Sequence, residues 1–144
     1  MIEIRNKVFE TNSSMTHTLV ICKEDNYNAW INGKLMFKFD GEQFLDAENA
    51  RKENAKVLRE RLKWYKDNGL EYRADKFNDE IISKYENGAV KDRWALFSRW
   101  DIDNFFITYD QFTDYVWNNN LELVGETSNV DGVKMTVFGY YGND

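Results

Sequence analysis

No proline occurs anywhere in the 144 residues, and the chain is punctuated instead by five Asn-Gly or Asp-Gly pairs, at 32–33, 40–41, 68–69, 87–88 and 131–132. Asn and Asp tolerate left-handed backbone and Gly favours it, so such pairs end helices and turn hairpins. No Gly/Ser linker, internal repeat or break in composition marks a boundary, so residues 1–144 read as a single domain.

The segments between the stops have distinct periods. Residues 2–9 begin with apolar-polar alternation and read as a strand, followed by a polar stretch over 10–16. Residues 17–22 are β-branched and apolar enough for a well-buried strand. A short helix over 24–32 would use Tyr27, Trp30 and Ile31, and 34–39 is a third strand. Residues 46–68 form a helix with Asp46 as its N-cap and Ala50, Val57, Leu58, Leu62, Trp64 and Tyr65 on or near one face. A second helix over 73–87 spaces Ala74, Phe77, Ile81 and Tyr85 three or four apart, which makes an antiparallel helical hairpin. Residues 89–107 resist any period. Thr108 and Gln111 match a capping box, ahead of a helix with Phe112, Tyr115 and Val116 on its apolar face and Asn118-Asn119-Asn120 at its end. Strands over 121–127 and 133–140, joined through 128–132, close the chain. The fold expected is α+β: a small antiparallel sheet from N- and C-terminal strands, with a central helical hairpin and a further helix on one face or end.

Aromatic residues make up 16 % of the sequence, including five Trp, too many large rings for a disordered chain. The five Trp exceed what a core of this size needs, and Trp is enriched in binding hot spots. No run approaches a membrane span, and the first five residues have no apolar stretch behind their charges, as a secretory signal would. Cys22 is the only cysteine, so an intrachain disulfide and the Cys-pair zinc sites are excluded, and a reducing cytoplasm suits the chain. The net charge of −6 is uneven: residues 51–100 carry thirteen Lys/Arg against nine Asp/Glu, and residues 101–144 carry Lys134 against eight acids. The last third is therefore a poor phosphate binder and a better surface for a basic partner. Seven bases between Arg51 and Lys66 would resemble a nucleic-acid face in isolation, but the acidic whole favours a solvated or paired helix surface.

Two constellations have chemical content. Glu10, Ser13, Ser14 and His17 supply a carboxylate, hydroxyls and an imidazole, the groups of a nucleophile–base–orienter triad or of a phosphate-holding loop. The same stretch is also what a turn between strands needs, because Thr, Asn and Ser hydrogen-bond their own backbone. Asp101 and Asp103, with Asp110 and Asp114, are oxygen donors, yet their spacing departs from an EF-hand loop. No metal and no cofactor are expected.

The run Glu10-Thr11-Asn12-Ser13-Ser14 leading to His17 resembles the opening of small uncharacterised proteins of phages and mobile elements of Gram-positive bacteria. The closing Phe138-Gly139-Tyr140-Tyr141-Gly142 is similar to the ends of some of them. Met15 stands where a third hydroxyl residue is commoner in that group. The resemblance implies a setting, in which small acidic proteins act against host defences, and implies no catalytic role.

These readings converge on a non-enzymatic, anti-CRISPR-like or related counter-defence protein that inhibits a host nucleic-acid-binding protein. Trp94, Trp100, Asp101, Asp103, Asp110, Asp114 and Trp117 are the expected contact residues, and the stretch from 93 to 106 is the expected exposed surface. Direct nucleic-acid binding and membrane association are not expected, and self-association stays open. The alternative is a small enzyme or nucleotide-binding protein built on Ser13, Ser14 and His17, with Glu10.

Overall fold

The computed structural model of the protein describes residues 15–70, 78–89 and 103–143, and of Met15, Thr16, His17 and Asn143 only the backbone. The expected strand over 2–9, most of the polar stretch, the start of the expected second helix and residues 90–102 lie outside the described residues.

Every Asx-Gly pair ends an element, with the glycine φ between 73° and 84° in all five. The order is β1 (Met15–Lys23), α1 (Glu24–Ile31), β2 (Leu35–Lys38), β3 (Gln43–Asp46), α2 (Ala47–Asp67), α3 (Asp79–Glu86), α4 (Tyr109–Asn118), β4 (Glu122–Val130) and β5 (Val133–Asn143). An antiparallel sheet in the order β1-β5-β4 joins the two ends of the described chain, and β2 and β3 form a separate hairpin. The fold is α+β.

Several boundaries differ from the sequence reading for identifiable reasons. The closing hairpin turns on two residues, Asp131 (φ 53°) and Gly132 (φ 84°), rather than on five. Two consecutive left-handed residues match the twist of paired strands, so polar Ser128 and Asn129 stay in the ladder. Gln43–Asp46, too short to signal alternation, pairs with β2 after a turn through Gly41 (φ 81°) and Glu42 (φ 47°). Within the stretch expected to be helical over 73–87, α3 starts at Asp79, after Asn78, which is extended and whose side chain accepts the Ile81 amide at 3.0 Å. On α2 the buried stripe is Ala50, Asn54, Ala55, Leu58 and Leu62. Val57 and Trp64 face outward instead, Trp64 being 55 % exposed. Ile21 is 43 % exposed and Ile31 also faces solvent, since β1 is marginal in its sheet among the described residues and α1 buries only Trp30 fully.

Trp30 fills the main core. Its ring lies 5.0–6.2 Å from those of Phe37, Phe44, Tyr109, Phe112 and Phe138, and its Nε1–H donates to the Ile107 carbonyl at 3.0 Å. Burying such a ring with its one donor satisfied contributes about 2–3 kcal/mol. The second core lies between α2 and α3. Arg51 beside Gly88, Asn54 bonded to Tyr85 and Arg59 bonded to Ser83 step forward along α2 and backward along α3, so these helices run antiparallel, as the helical hairpin requires.

The residues between 104 and 108 lock these parts together. Phe105 enters the α2–α3 cluster, Phe106 packs with Met36 and Ala50, and Ile107 enters the Trp30 core. Asn54, only 1 % exposed, grips the Phe106 backbone: its Oδ1 accepts the amide at 2.9 Å and its Nδ2 donates to the carbonyl at 2.8 Å. Nδ2 also donates to the Tyr85 hydroxyl at 2.8 Å.

Two outcomes are expected. Asn54→Ala strands the buried Phe106 amide and carbonyl and should cost about 3 kcal/mol in a denaturant titration. Gly139, in the middle of β5, has φ 149°, and a Cβ there would overlap the Thr18 carbonyl oxygen of β1. Gly139→Ala should therefore cost about 4 kcal/mol or more in the same assay. A loss under about 1 kcal/mol in either case would contradict the packing described.

Candidate functional site

Helix α4 starts from the expected capping box: Thr108 Oγ1 accepts the Gln111 amide at 3.1 Å, and Gln111 Oε1 accepts the Thr108 amide at 2.8 Å. With its start fixed, α4 turns Gln111, Phe112 and Val116 inward. Asp110, Asp114 and Trp117 are spaced i, i+4, i+7, and all three are exposed, Trp117 by 82 %. Three of the expected contact residues thus share one helix face. Among the described residues none of these carboxylates has an ion-pair partner.

Asn119 and Asn120 (φ 55°) then bend the chain from α4 into β4, and the Leu121 amide donates back to the Val116 carbonyl at 3.0 Å. This return opens a groove of about 510 Å³ between the two elements, lined by Thr113, Asp114, Val116, Trp117, Leu121, Glu122 and Leu123. Its floor is apolar, with Leu121 lying closely over Gly142 of β5. Its rim is acidic. Leu123 is 46 % exposed, and Glu122 accepts a hydrogen bond from the Tyr141 hydroxyl, which holds that phenol above its ordinary pKa. An apolar slot with a carboxylate rim and an exposed Trp can take an aliphatic side chain flanked by cations.

Asp103 is elsewhere. It lines a separate cleft of about 560 Å³ with Asp40, Glu42, Asn104 and residues Thr18–Val20 of β1, where the Asp40 amide donates to the Asp103 carbonyl at 3.0 Å. No group of three or more His, Cys, Asp or Glu among the described residues is placed to hold a metal. Trp94, Trp100 and Asp101 lie outside the described residues, as do Glu10, Ser13, Ser14 and the His17 side chain; the His17 backbone pairs with Tyr141 in the sheet. The expectation of an exposed surface up to 106 is corrected at its end. Phe105 and Phe106 are 1 % and 5 % exposed, because they are anchors between cores.

Other reactive groups are placed for structure. Burial pushes the Cys22 thiol up to about 11, against a hydrogen bond with the Tyr27 backbone, so at neutral pH it is a weak nucleophile. Burial and the Tyr109 hydroxyl, 3.1 Å away, raise Tyr27 as well. On α2, Lys52, Lys56 and Arg59 pair with Glu48, Glu53 and Glu86, at 3.5, 3.1 and 2.7 Å. These bases find acids on α2 and α3, and the exposed pairs contribute little to stability.

Sequence reasoning missed Leu121, Glu122 and Leu123, whose role in the groove depends on how β4 returns beside α4. It also missed Asp40 and Glu42, brought to Asp103 by the β2–β3 turn. No helix among the described residues is long and apolar enough to cross a membrane. No known protein family matches the chain, and neither a curated protein nor a solved structure shows significant similarity to it.

Proposed function

We propose that the protein is a small acidic binding protein of a phage or mobile element that inhibits a host nucleic-acid-binding protein, in the manner of anti-CRISPR or related counter-defence factors. The observation that carries this reading is Trp117, 82 % exposed at the lip of an apolar groove and aligned with Asp110 and Asp114. A large ring held in water by an ordered helix gains free energy only when a partner covers it.

The carboxylates of Asp110 and Asp114 stand one helical turn apart, ~6 Å along the axis. Before a groove of Lys and Arg they take the place of successive phosphates and steer encounter from a distance. Trp117 and the slot beside it then hold the complex by burial, which governs dissociation. The charge distribution selects the partner. With Lys134 the only base after residue 100, this face repels nucleic acid and attracts the proteins that bind it.

The test is capture of partners from a nuclease-treated Gram-positive lysate, followed by binding kinetics on the captured protein. A nucleic-acid-binding protein whose nucleic acid competes with the bait is expected. Asp114→Lys should weaken the complex by about 10- to 100-fold, and salt should slow association, whereas Trp117→Ala should mainly speed dissociation. Binding indifferent to Asp114→Lys would refute the proposal.

A further inference from the structure

We infer that the outer edge of β4 receives an extended basic segment of the partner as an added strand, with one apolar side chain of that segment seated in the α4–β4 groove. The inference rests on the acidic face being the partner site and specifies how the partner is held.

β4 is paired with β5 along its whole length, from Glu122 opposite Tyr141 to Val130 opposite Val133, and no strand lies on its other side among the described residues. The two-residue turn fixes which groups are unpaired. Val130 and Val133 flank it as a hydrogen-bonded pair, so the N–H and C=O groups of every second residue, Leu123, Gly125, Thr127 and Asn129, point away from β5. The close Thr127–Thr136 hydroxyl contact, 2.9 Å across the strands, fits the narrow non-hydrogen-bonded pair this register requires. All four outward residues are exposed.

Exposed edges are normally blunted by Pro, Lys or a bulge. β4 carries neither Pro nor any Lys or Arg, and each residue has one partner in register. Its only charges are Glu122 and Glu126, with Asp114 close by at the groove. A second copy docking edge to edge about the strand centre would set Glu126 against Glu126, and like charges directly opposite are destabilising. A strand bearing Lys or Arg has the opposite sign. Side chains alternate across a strand, so the added segment would carry bases on the Glu122–Glu126 side and aliphatic residues on the Leu123 side, where the groove opens.

The probe is a peptide of alternating Lys and Val about as long as β4, compared with the same peptide N-methylated at alternate backbone nitrogens. Both have the same charge, but the second cannot complete a ladder. The unmodified peptide should slow hydrogen exchange at the Leu123, Gly125, Thr127 and Asn129 amides about 10-fold or more, and should bind about 10-fold tighter than its N-methylated form. Thr127→Pro, which removes an outward amide and leaves the β5 ladder intact, should weaken binding by a similar factor. Equal binding of the two peptides, without protection of those amides, would overturn strand addition while leaving the acidic face as a charge-based site. Binding of neither peptide at low salt would overturn the inference. A captured host partner that ignores Thr127→Pro but responds to Asp114→Lys would overturn strand addition alone.

Discussion

The carbonyl oxygen of Ile107 accepts two hydrogen bonds, from the Phe37 amide and from the indole of Trp30, both at 3.0 Å, while the Ile107 amide returns one to the Phe37 carbonyl at 2.8 Å. One residue earlier, Asn54 holds both backbone groups of Phe106. Side chains at 105, 106 and 107 enter three separate clusters, so this short run couples the helical hairpin, the β2–β3 hairpin and the aromatic core under the sheet. Buried polar groups that are fully paired specify one arrangement, because any slip leaves an amide or carbonyl unsatisfied. Thr108, the cap of α4, follows directly, so the direction of α4 is set by the same run.

The site is downstream of that constraint. α4 buries Phe112 and Val116 against the Trp30 core, which leaves the Asp110–Asp114–Trp117 stripe outside. The chain then turns through Asn120 into β4, whose partner β5 lies against β1 over an unusually close approach at Gly139. An exposed Trp on a flexible loop would pay its ordering entropy on binding; on a capped helix packed against a core, much of that entropy is already lost on folding.

Legibility in the sequence followed how local the determining interactions are. The caps at Asp46 and Thr108 and the glycine stops lie within one or two turns, and they appear as read. Residues 105–107 showed no period because successive side chains enter different clusters, a pattern that neither a helix nor a strand on one core produces. Asn54 carried no signal in the sequence, because its partner, the Phe106 backbone, lies 52 residues away. Trp64 read as core because hydrophobicity alone does not separate it from Leu62, two residues away on α2. The groove was not legible, since Leu121 and Leu123 meet α4 only after the sheet order is known.

The proposed interface depends on Trp117 as an anchor kept in water for a partner. The most direct measurement is fluorine NMR of protein labelled with fluorotryptophan, following the solvent-isotope shift of the Trp117 resonance as a basic partner is added. This shift should be large in the free protein and collapse on binding, with Trp30 insensitive throughout. A Trp117 resonance that stays solvent-exposed in a saturated complex would contradict it.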